Sequence, residues 1–128
     1  MPLLAFATLA CAALFFYVSY SCGMMRGKHK VAPGSVDGPE EFKLYYRSQA
    51  NLLESLMMFL PSVWIFGVFG SATVAGVLSL VYLGGRVTYH RAYVSDPAAR
   101  TIPFMIGIAS TAIAWVGALV SVGIDALT

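Results

Sequence analysis

The 128-residue chain is too apolar for an ordinary water-soluble domain. Apolar residues make up 59% of it and charged residues only 11%, and its mean hydropathy is +0.76, whereas soluble domains carry about 25% charged residues. The net charge is only +2 and the basic residues lie between apolar runs, which argues against a nucleic-acid-binding protein. The length is that of one domain, residues 1–128, and the composition predicts an integral membrane protein.

The first apolar run, residues 3–25, contains no charged residue. It predicts a membrane-spanning helix, because a span needs about 20 apolar residues. A secretory signal peptide is the alternative, but such peptides begin with a basic segment and have an apolar core of about 7–15 residues. Here the run is longer, and no basic residue precedes Arg26. We therefore expect this segment to be helix 1 of the protein.

Three further spanning helices are predicted, at about residues 40–69, 72–94 and 97–127. A loop rich in Gly and Pro, residues 26–39, precedes helix 2, and Pro39 followed by two glutamates is typical of a helix start. Pro61 is expected to kink helix 2, because proline removes one backbone hydrogen bond. Gly70 marks a tight turn before helix 3, and Pro97 marks the start of helix 4. The predicted fold is all-α, a four-helix bundle in the membrane.

The basic residues predict how the bundle is oriented. All eight Lys and Arg residues lie near the connection between helices 1 and 2 or near that between helices 3 and 4. In an up-and-down bundle these two connections lie on one side of the membrane, and the positive-inside rule makes that side cytoplasmic. We therefore expect both termini to be extracytoplasmic and a site near these connections to face the cytoplasm.

Polar side chains near these connections form two stripes. On helix 2, Arg47, Asn51 and Glu54 follow the spacing i, i+4, i+7 and share a face, whereas Gln49 points the opposite way. Helix 3 and the start of helix 4 supply the remaining candidates, which are Arg86, Tyr89, Tyr93 and Arg100. Polar groups near hydrocarbon are costly unless they are paired or hydrated, so these residues are candidates for a functional site.

The chemistry of this set suits a small ligand with several carboxylates and an amine. Arginine binds carboxylates through two parallel hydrogen bonds, and Glu54 can hold an ammonium group. A thiol, whose pKa is about 8.5, ionises more readily beside arginine. The set therefore favours glutathione next to a lipid-soluble electrophile. The alternative is a structural role, with Arg47 and Glu54 as an ion pair and the tyrosines as an interfacial belt.

No metal site is predicted from the histidines. Neither His29 nor His90 has a Cys or a carboxylate at ligand spacing nearby. We expect His29 to be a solvated loop residue. His90 lies one turn from Arg86, and we expect it to lie outside the ligand site, with a position in the wall of the site as the alternative.

Residues 38–54 resemble the signature of the MAPEG family, the membrane-associated proteins in eicosanoid and glutathione metabolism. The matching pattern is a Pro-Glu-Phe-like entry followed by Arg-x-Gln-x-Asn-x-x-Glu. The segment Arg86-x-x-Tyr89-x-x-x-Tyr93, with Arg100 seven residues later, is similar to the second signature of the family. With the number of helices, the topology and the length, the resemblance covers nearly the whole chain.

The resemblance implies a homotrimer of left-handed four-helix bundles, with glutathione bound between neighbouring subunits at the cytosolic side. It assigns glutathione binding in one subunit to Arg47, Asn51, Glu54, Tyr89 and Tyr93. It assigns Arg26 and Gln49 to the neighbouring subunit and makes Arg100 the residue that stabilises the thiolate. The implied activity is conjugation of glutathione to a hydrophobic electrophile, with reduction of lipid hydroperoxides as an additional reaction.

A non-catalytic lipid-binding scaffold of the same family is the alternative function. Such a relative looks to lack the helix 2 arginine and glutamate, and both are present here as Arg47 and Glu54. Two departures from the family pattern fall on helix 2. Pro61 comes seven residues after Glu54 rather than two, and Ser55 stands where an aromatic residue often does. One wall of the site is therefore expected to differ, and the electrophile is undefined.

Overall fold

The computed structural model describes residues 1–128 and contains four α-helices and one short 3-10 turn, with no strand. The elements are α1 (Pro2–Lys28), α2 (Glu40–Phe69), α3 (Ala72–Ser95), the 3-10 turn Pro97–Arg100 and α4 (Thr101–Leu127). The predicted all-α, four-helix fold is confirmed. Helix α2 continues through Pro61 without a break, and the kink expected there stays a prediction.

Consecutive helices run antiparallel. At one end, a methyl group on Gly67 of α2 would meet Leu4 of α1, and one on Gly76 of α3 would meet Leu3, so the start of α1 lies against the end of α2. Helices α2 and α3 each pack against all the others, whereas no Cα of α1 lies within 8 Å of α4. Helices α1 and α4 therefore lie on opposite sides of the α2–α3 pair.

The middle of the bundle is closed by aromatic packing between α2 and α3. The rings of Phe59 and Tyr82 stack with their centroids 3.8 Å apart and their planes at 4°. The Tyr82 hydroxyl lies 2.7 Å from the Ser55 hydroxyl, which satisfies a polar group that would otherwise cost about 1–3 kcal/mol when buried. The polar site of Asn51, Glu54 and Arg86 lies between this layer and the loops that carry the basic residues.

Three helical segments are long and apolar enough to cross a membrane, namely Pro2–Lys28, Glu40–Phe69 and Pro97–Leu127. Helix α3 has 24 residues, about 36 Å at 1.5 Å per residue, but falls short of the same hydropathy. Its second half carries Arg86, Tyr89, His90 and Arg91. The sequence predicted four spans, and three of them meet this criterion of length and apolarity. Helix α3 does not, because its second half carries the polar residues of the site.

Helix α1 continues beyond its predicted end, to Lys28. Lys30 adopts a left-handed φ of 54°. The Val31 N–H donates to the Arg26 carbonyl at 2.9 Å, and the Lys30 N–H donates to the Gly27 carbonyl at 3.3 Å. This is a Schellman closure, in which a left-handed residue after the helix satisfies its last carbonyl groups. Glycine usually occupies that position, so the sequence pattern did not indicate this ending.

Helix α4 begins at Thr101 rather than at Pro97. The residues Pro97–Arg100 form a 3-10 turn instead. Pro103 has no N–H to donate to the Ala99 carbonyl, so an α-helix that started at Pro97 would lack a hydrogen bond in its second turn. A start at Thr101 places Pro103 in the first turn, where N–H groups have no partner within the helix.

Candidate functional site

A buried polar contact joins α2 to α3. The Arg86 side chain belongs to a residue that is only 3% exposed, and its Nη2 donates to Asn51 Oδ1 at 2.9 Å. The guanidinium carbon lies 4.3 Å from the centre of the Tyr89 ring, a cation–π distance. Gly107 of α4 leaves room for this arginine, because a Cβ at that position would meet Arg86 Cδ at 3.3 Å. Three helices thus hold one arginine in place.

Arg86 has no acidic partner in the chain. No carboxylate oxygen lies within 4.0 Å of it, and its Nε is buried without an acceptor. Glu54, one turn along α2 from Asn51, likewise has no basic partner within 4.0 Å. Arg86 and Glu54 line the same cavity, of about 170 Å³. The unpaired charge of Arg86 is costly because it is buried, and the exposed Glu54 is free to pair with a cation. This arrangement suits a ligand that carries charges of both signs.

The bond from Arg86 also fixes the orientation of the Asn51 amide. A guanidinium group only donates hydrogen bonds, so the acceptor must be Asn51 Oδ1. The Nδ2 group then keeps both of its hydrogens, and it donates to no other protein group. Asn51 lines the cavity and therefore offers a donor whose direction is set before a ligand arrives.

Aromatic rings connect Arg86 to the polar end of the bundle. The ring centres of Tyr89 and Tyr93 are 5.5 Å apart, and the guanidinium of Arg100 lies 5.3 Å from the centre of Tyr93. The Arg100 side chain is exposed, and its one hydrogen bond, of 3.1 Å, goes to the Pro97 carbonyl. Arg100 lies just before α4, where its charge adds to the positive end of the helix dipole.

Arg47 lies on α2 one turn nearer the polar end than Asn51. Its exposed side chain has Nη1 at 3.9 Å from Glu40 Oε1. An exposed pair of this kind contributes about 0–1 kcal/mol, so Arg47 can exchange it for a ligand carboxylate. Arg47 does not pair with Glu54, so the alternative of a structural ion pair between these two residues is wrong.

Gln49 and Arg26 lie away from this cavity. The Gln49 Nε2 donates to Ser19 Oγ on α1 at 3.1 Å, so Gln49 points toward α1, opposite to the ligand-facing stripe. The Nη1 of Arg26 donates to two carbonyls of its own loop, at 2.8 and 2.7 Å, and its guanidinium lies 4.9 Å from the centre of the Phe42 ring. Both loop bonds use Nη1, so Nε and Nη2 of Arg26 remain free to donate hydrogen bonds.

The histidines lie outside the cavity. His90 Nδ1 is 2.6 Å from the buried Ser48 Oγ, and its ring meets the edges of Tyr17 and Tyr45, each with centroids 6.1 Å apart. His90 therefore lies between α1 and α2, on the side of α3 that faces away from α4. His29 lies in the turn after α1 and is less solvated than expected. Its side chain is only 20% exposed, and its Nε2 lies 3.7 Å from Glu41 Oε1.

The sequence placed Arg86 on the polar stripe of α3 but gave it no ligand role. One sequence feature could have indicated a ligand role for Arg86. The residue lies well inside a helix, between a glycine and a valine, where an unpaired cation is costly. Its burial depends on Gly107 of another helix, and no pattern within α3 reports that contact. Arg86 is therefore the functional candidate that the structure adds.

Residues 4–120 match the sequence profile of the MAPEG family. The chain belongs to the MAPEG family. It is 35% identical over 118 residues to an uncharacterized protein of Synechocystis sp., an alignment that covers 92% of this chain and 86% of the relative. It is also 33% identical over 106 residues to microsomal glutathione S-transferase 2 of Mus musculus, covering 83% and 72% of the two chains. With leukotriene C4 synthase of Cavia porcellus the identity is 35% over 103 residues, covering 80% and 69%.

Membership of the MAPEG family, together with the apolar helices, makes the chain an integral membrane protein. Its outer surface is apolar on the helices that flank the central pair, as at Phe6 and Phe16 of α1 and Ile102 and Ile113 of α4. A lipid environment suits such a surface, because the helical backbone satisfies its own hydrogen bonds.

Proposed function

We propose that this MAPEG protein is a glutathione transferase that joins the sulfur of glutathione to hydrophobic electrophiles. The cavity in which Arg86 and Glu54 each lack a charged partner is the observation that carries the proposal. Glutathione has two carboxylates, one ammonium group and one thiol, so it supplies both of the missing charges. The similarity to a microsomal glutathione S-transferase supports this choice of ligand.

In the proposed complex each polar side chain binds one part of glutathione. Arg47 and Arg86 pair with the carboxylates, because guanidinium groups bind them with two parallel hydrogen bonds. Glu54 pairs with the ammonium group, and Asn51 Nδ2 donates to a peptide carbonyl. The phenols that follow along α3, Tyr89 and Tyr93, lie between this pocket and Arg100 and donate toward the cysteine end of the tripeptide.

Arg100 stabilises the thiolate in this proposal. Only the thiolate attacks, and a free thiol with a pKa of about 8.5 is mostly protonated at neutral pH. Arg100 stays charged at any relevant pH and sits at the positive end of α4. The thiol proton passes to solvent, the sulfur lone pair forms the new bond to the electrophilic carbon, and the leaving group departs with the electrons of its own bond.

The electrophile has an apolar place beside this site. A cavity of about 550 Å³ adjoins the polar one and shares Met58, Ile108 and Thr111 with it, and Trp115 lies at its far side. It opens between α2 and α4 on the surface that meets lipid, so an apolar substrate reaches it from the membrane.

A lipid hydroperoxide can enter in the same way. The thiolate then attacks its terminal oxygen, a lipid alcohol leaves, and a second glutathione gives the disulfide and water.

We propose that the working unit is a homotrimer with glutathione between subunits. Arg47, Glu54 and Arg100 are all exposed in one subunit, so the site is open on one side, where a neighbour can close it. The face where Gln49 of α2 meets α1, together with Arg26 at the end of α1, is the face that a neighbour would present. Native mass spectrometry should find a trimer, and a monomer that binds glutathione with full affinity would contradict this.

We also propose that the polar end faces the cytoplasm and that both termini lie on the other side. All eight basic residues lie toward that end, as the positive-inside rule requires. Single cysteines at Lys28 and Thr128, in a chain whose buried Cys11 and Cys22 are replaced by alanine, should react with an impermeant reagent from opposite sides. Reaction of both from one side would overturn the orientation.

A conjugation assay tests the transferase activity. Purified protein in detergent is mixed with glutathione and an activated aryl chloride, and the thioether is followed by its absorbance. We expect turnover above the uncatalysed rate, a loss of about 10-fold or more for Glu54→Gln, and no loss for Lys30→Gln. Glutathione binding without turnover of any electrophile would favour the lipid-binding scaffold, and the absence of both would contradict the proposal.

A further inference from the structure

A third cavity lies on the other side of the bundle, between α1 and α3. Its volume of about 320 Å³ falls within the range of about 300–1,000 Å³ that small-ligand sites occupy. It shares no lining residue with the cavity of Arg86 and Glu54. The lining residues that matter for its chemistry are Tyr17, Tyr20, Met24, Tyr45, His90 and Arg91.

Arg91 is the one charged residue in this lining. Its side chain is exposed, forms no ion pair with any carboxylate within 4.0 Å, and makes no side-chain hydrogen bond. No Asp or Glu lines the cavity. The charge of the cavity is therefore complementary to an anion.

The inner wall of this cavity is held rigid by the buried pair of Ser48 and His90. In the tautomer in which the Ser48 hydroxyl donates to His90 Nδ1 across 2.6 Å, Nε2 carries the hydrogen and is left to donate to a ligand. Two edge-on contacts, with Tyr17 and Tyr45, fix the plane of the imidazole. With the phenols and the guanidinium of Arg91, the wall presents several hydrogen-bond donors, which is what an oxyanion needs.

The depth of the cavity indicates an amphiphile. Arg91 lies four residues before the end of α3 and Tyr17 eleven residues before the end of α1, which correspond to about 6 Å and about 17 Å below the loops. The cavity therefore runs from the level of the basic loops into the apolar part of the bundle. Exposed apolar side chains, Tyr20 and Met24, lie along its outer edge.

We propose that this cavity binds an anionic membrane phospholipid by its phosphate group. Arg91 pairs with the phosphate, the phenols and His90 donate to its oxygens, and the start of an acyl chain lies against Met24. Basic pockets between helices on the cytoplasmic side are where anionic headgroups bind membrane proteins. This site is separate from the glutathione site, so it stands or falls independently of the proposed transferase activity.

Native mass spectrometry and thermal unfolding in detergent test this proposal. Phosphatidylglycerol should remain bound at one molecule per subunit and raise Tm, whereas phosphatidylcholine should do neither. Arg91→Gln should weaken retention by about 10-fold, Arg91→Lys by less, and His90→Phe, which keeps a ring but loses the nitrogens, should also weaken it. The matched control Lys30→Gln removes a basic residue at the same end but outside the cavity, and should retain the lipid.

Three outcomes would overturn the proposal. Equal retention of phosphatidylcholine would mean that the cavity recognises apolar chains and not the phosphate. Full retention of phosphatidylglycerol by Arg91→Gln would show that the charge of Arg91 does not hold the lipid. Inorganic phosphate that gives the same rise in Tm as the lipid would make the ligand a free anion. Glutathione conjugation should stay unchanged in Arg91→Gln, which shows that this variant is folded.

Discussion

Arg86 on α3 donates to Asn51 on α2 across 2.9 Å, in a place where no carboxylate lies within 4.0 Å of the guanidinium. The amide oxygen satisfies one donor of the arginine but leaves its charge uncompensated. It also leaves both hydrogens of Asn51 Nδ2 free, in a residue that lines the cavity. The pair therefore prepares the site for a negatively charged ligand at some cost to the unliganded protein.

Asn51→Asp should raise the stability of the unliganded protein and weaken glutathione binding. The new carboxylate pairs with Arg86, so Tm of the unliganded protein should rise, and glutathione should bind about 10-fold or more weakly because its own carboxylate is displaced and repelled. Asn51→Leu is the control. It leaves the Arg86 donor without an acceptor and should lower stability by about 1–3 kcal/mol. Differential scanning fluorimetry and calorimetric titration report both effects, and undiminished glutathione affinity in Asn51→Asp would contradict the assignment.

Gly107→Ala should disturb glutathione binding through Arg86. The added Cβ would lie 3.3 Å from Arg86 Cδ, so the arginine must shift by a few tenths of an ångström. We expect KM for glutathione to rise several-fold, on the order of 1 kcal/mol. Gly84→Ala on α3 is the matched control, since a Cβ there meets nothing within 4 Å, and it should stabilise the helix by about 0.5–1 kcal/mol. Equal KM values in both variants would rule out this coupling.

Arg100→Ala and Arg47→Ala should separate chemistry from binding. An opposite charge within about 4–6 Å lowers a pKa by about 1–3 units. Without Arg100 the pKa of bound glutathione should rise by that much, and the rate at neutral pH should fall by about 10-fold or more. Its rate should recover as the pH is raised, because the thiolate then forms unaided.

Arg47→Ala should instead raise KM first. Thiolate absorbance in the ultraviolet, followed against pH, distinguishes the two roles. Intact thiolate formation in Arg100→Ala would make Tyr93 the next candidate.

Lys30→Gly should stabilise the end of α1. Lys30 holds a φ of 54°, a conformation that costs roughly 1 kcal/mol for a residue with a Cβ and little for glycine. Lys30→Ala is the matched control, because it removes the same charge but keeps the Cβ. We expect Tm to rise in Lys30→Gly and not in Lys30→Ala. A rise of the same size in both variants would trace the effect to charge and not to the backbone.

The sequence predicted the four helices and the two polar stripes because apolar length and i, i+4 spacing are local properties. It did not predict the end of α1, since Lys30 takes a backbone conformation that usually indicates glycine. It also missed the late start of α4, which depends on the missing N–H of Pro103. The burial of Arg86 opposite Gly107 and the turn of His90 toward Ser48 both depend on which helices meet, and a single sequence does not specify that.

In the proposed complex, Glu54 and Arg86 bind the opposite charges of glutathione in one cavity. Calorimetric titration of wild type and Glu54→Gln with glutathione and with N-acetyl glutathione, which lacks the ammonium charge, tests this most directly. If Glu54 pairs with the ammonium group, acetylation should weaken binding to the wild type by about 10-fold or more and to Glu54→Gln by less than about 2-fold, because the interacting partner is already absent. The same loss on acetylation in both proteins would show that Glu54 does not bind the ammonium group.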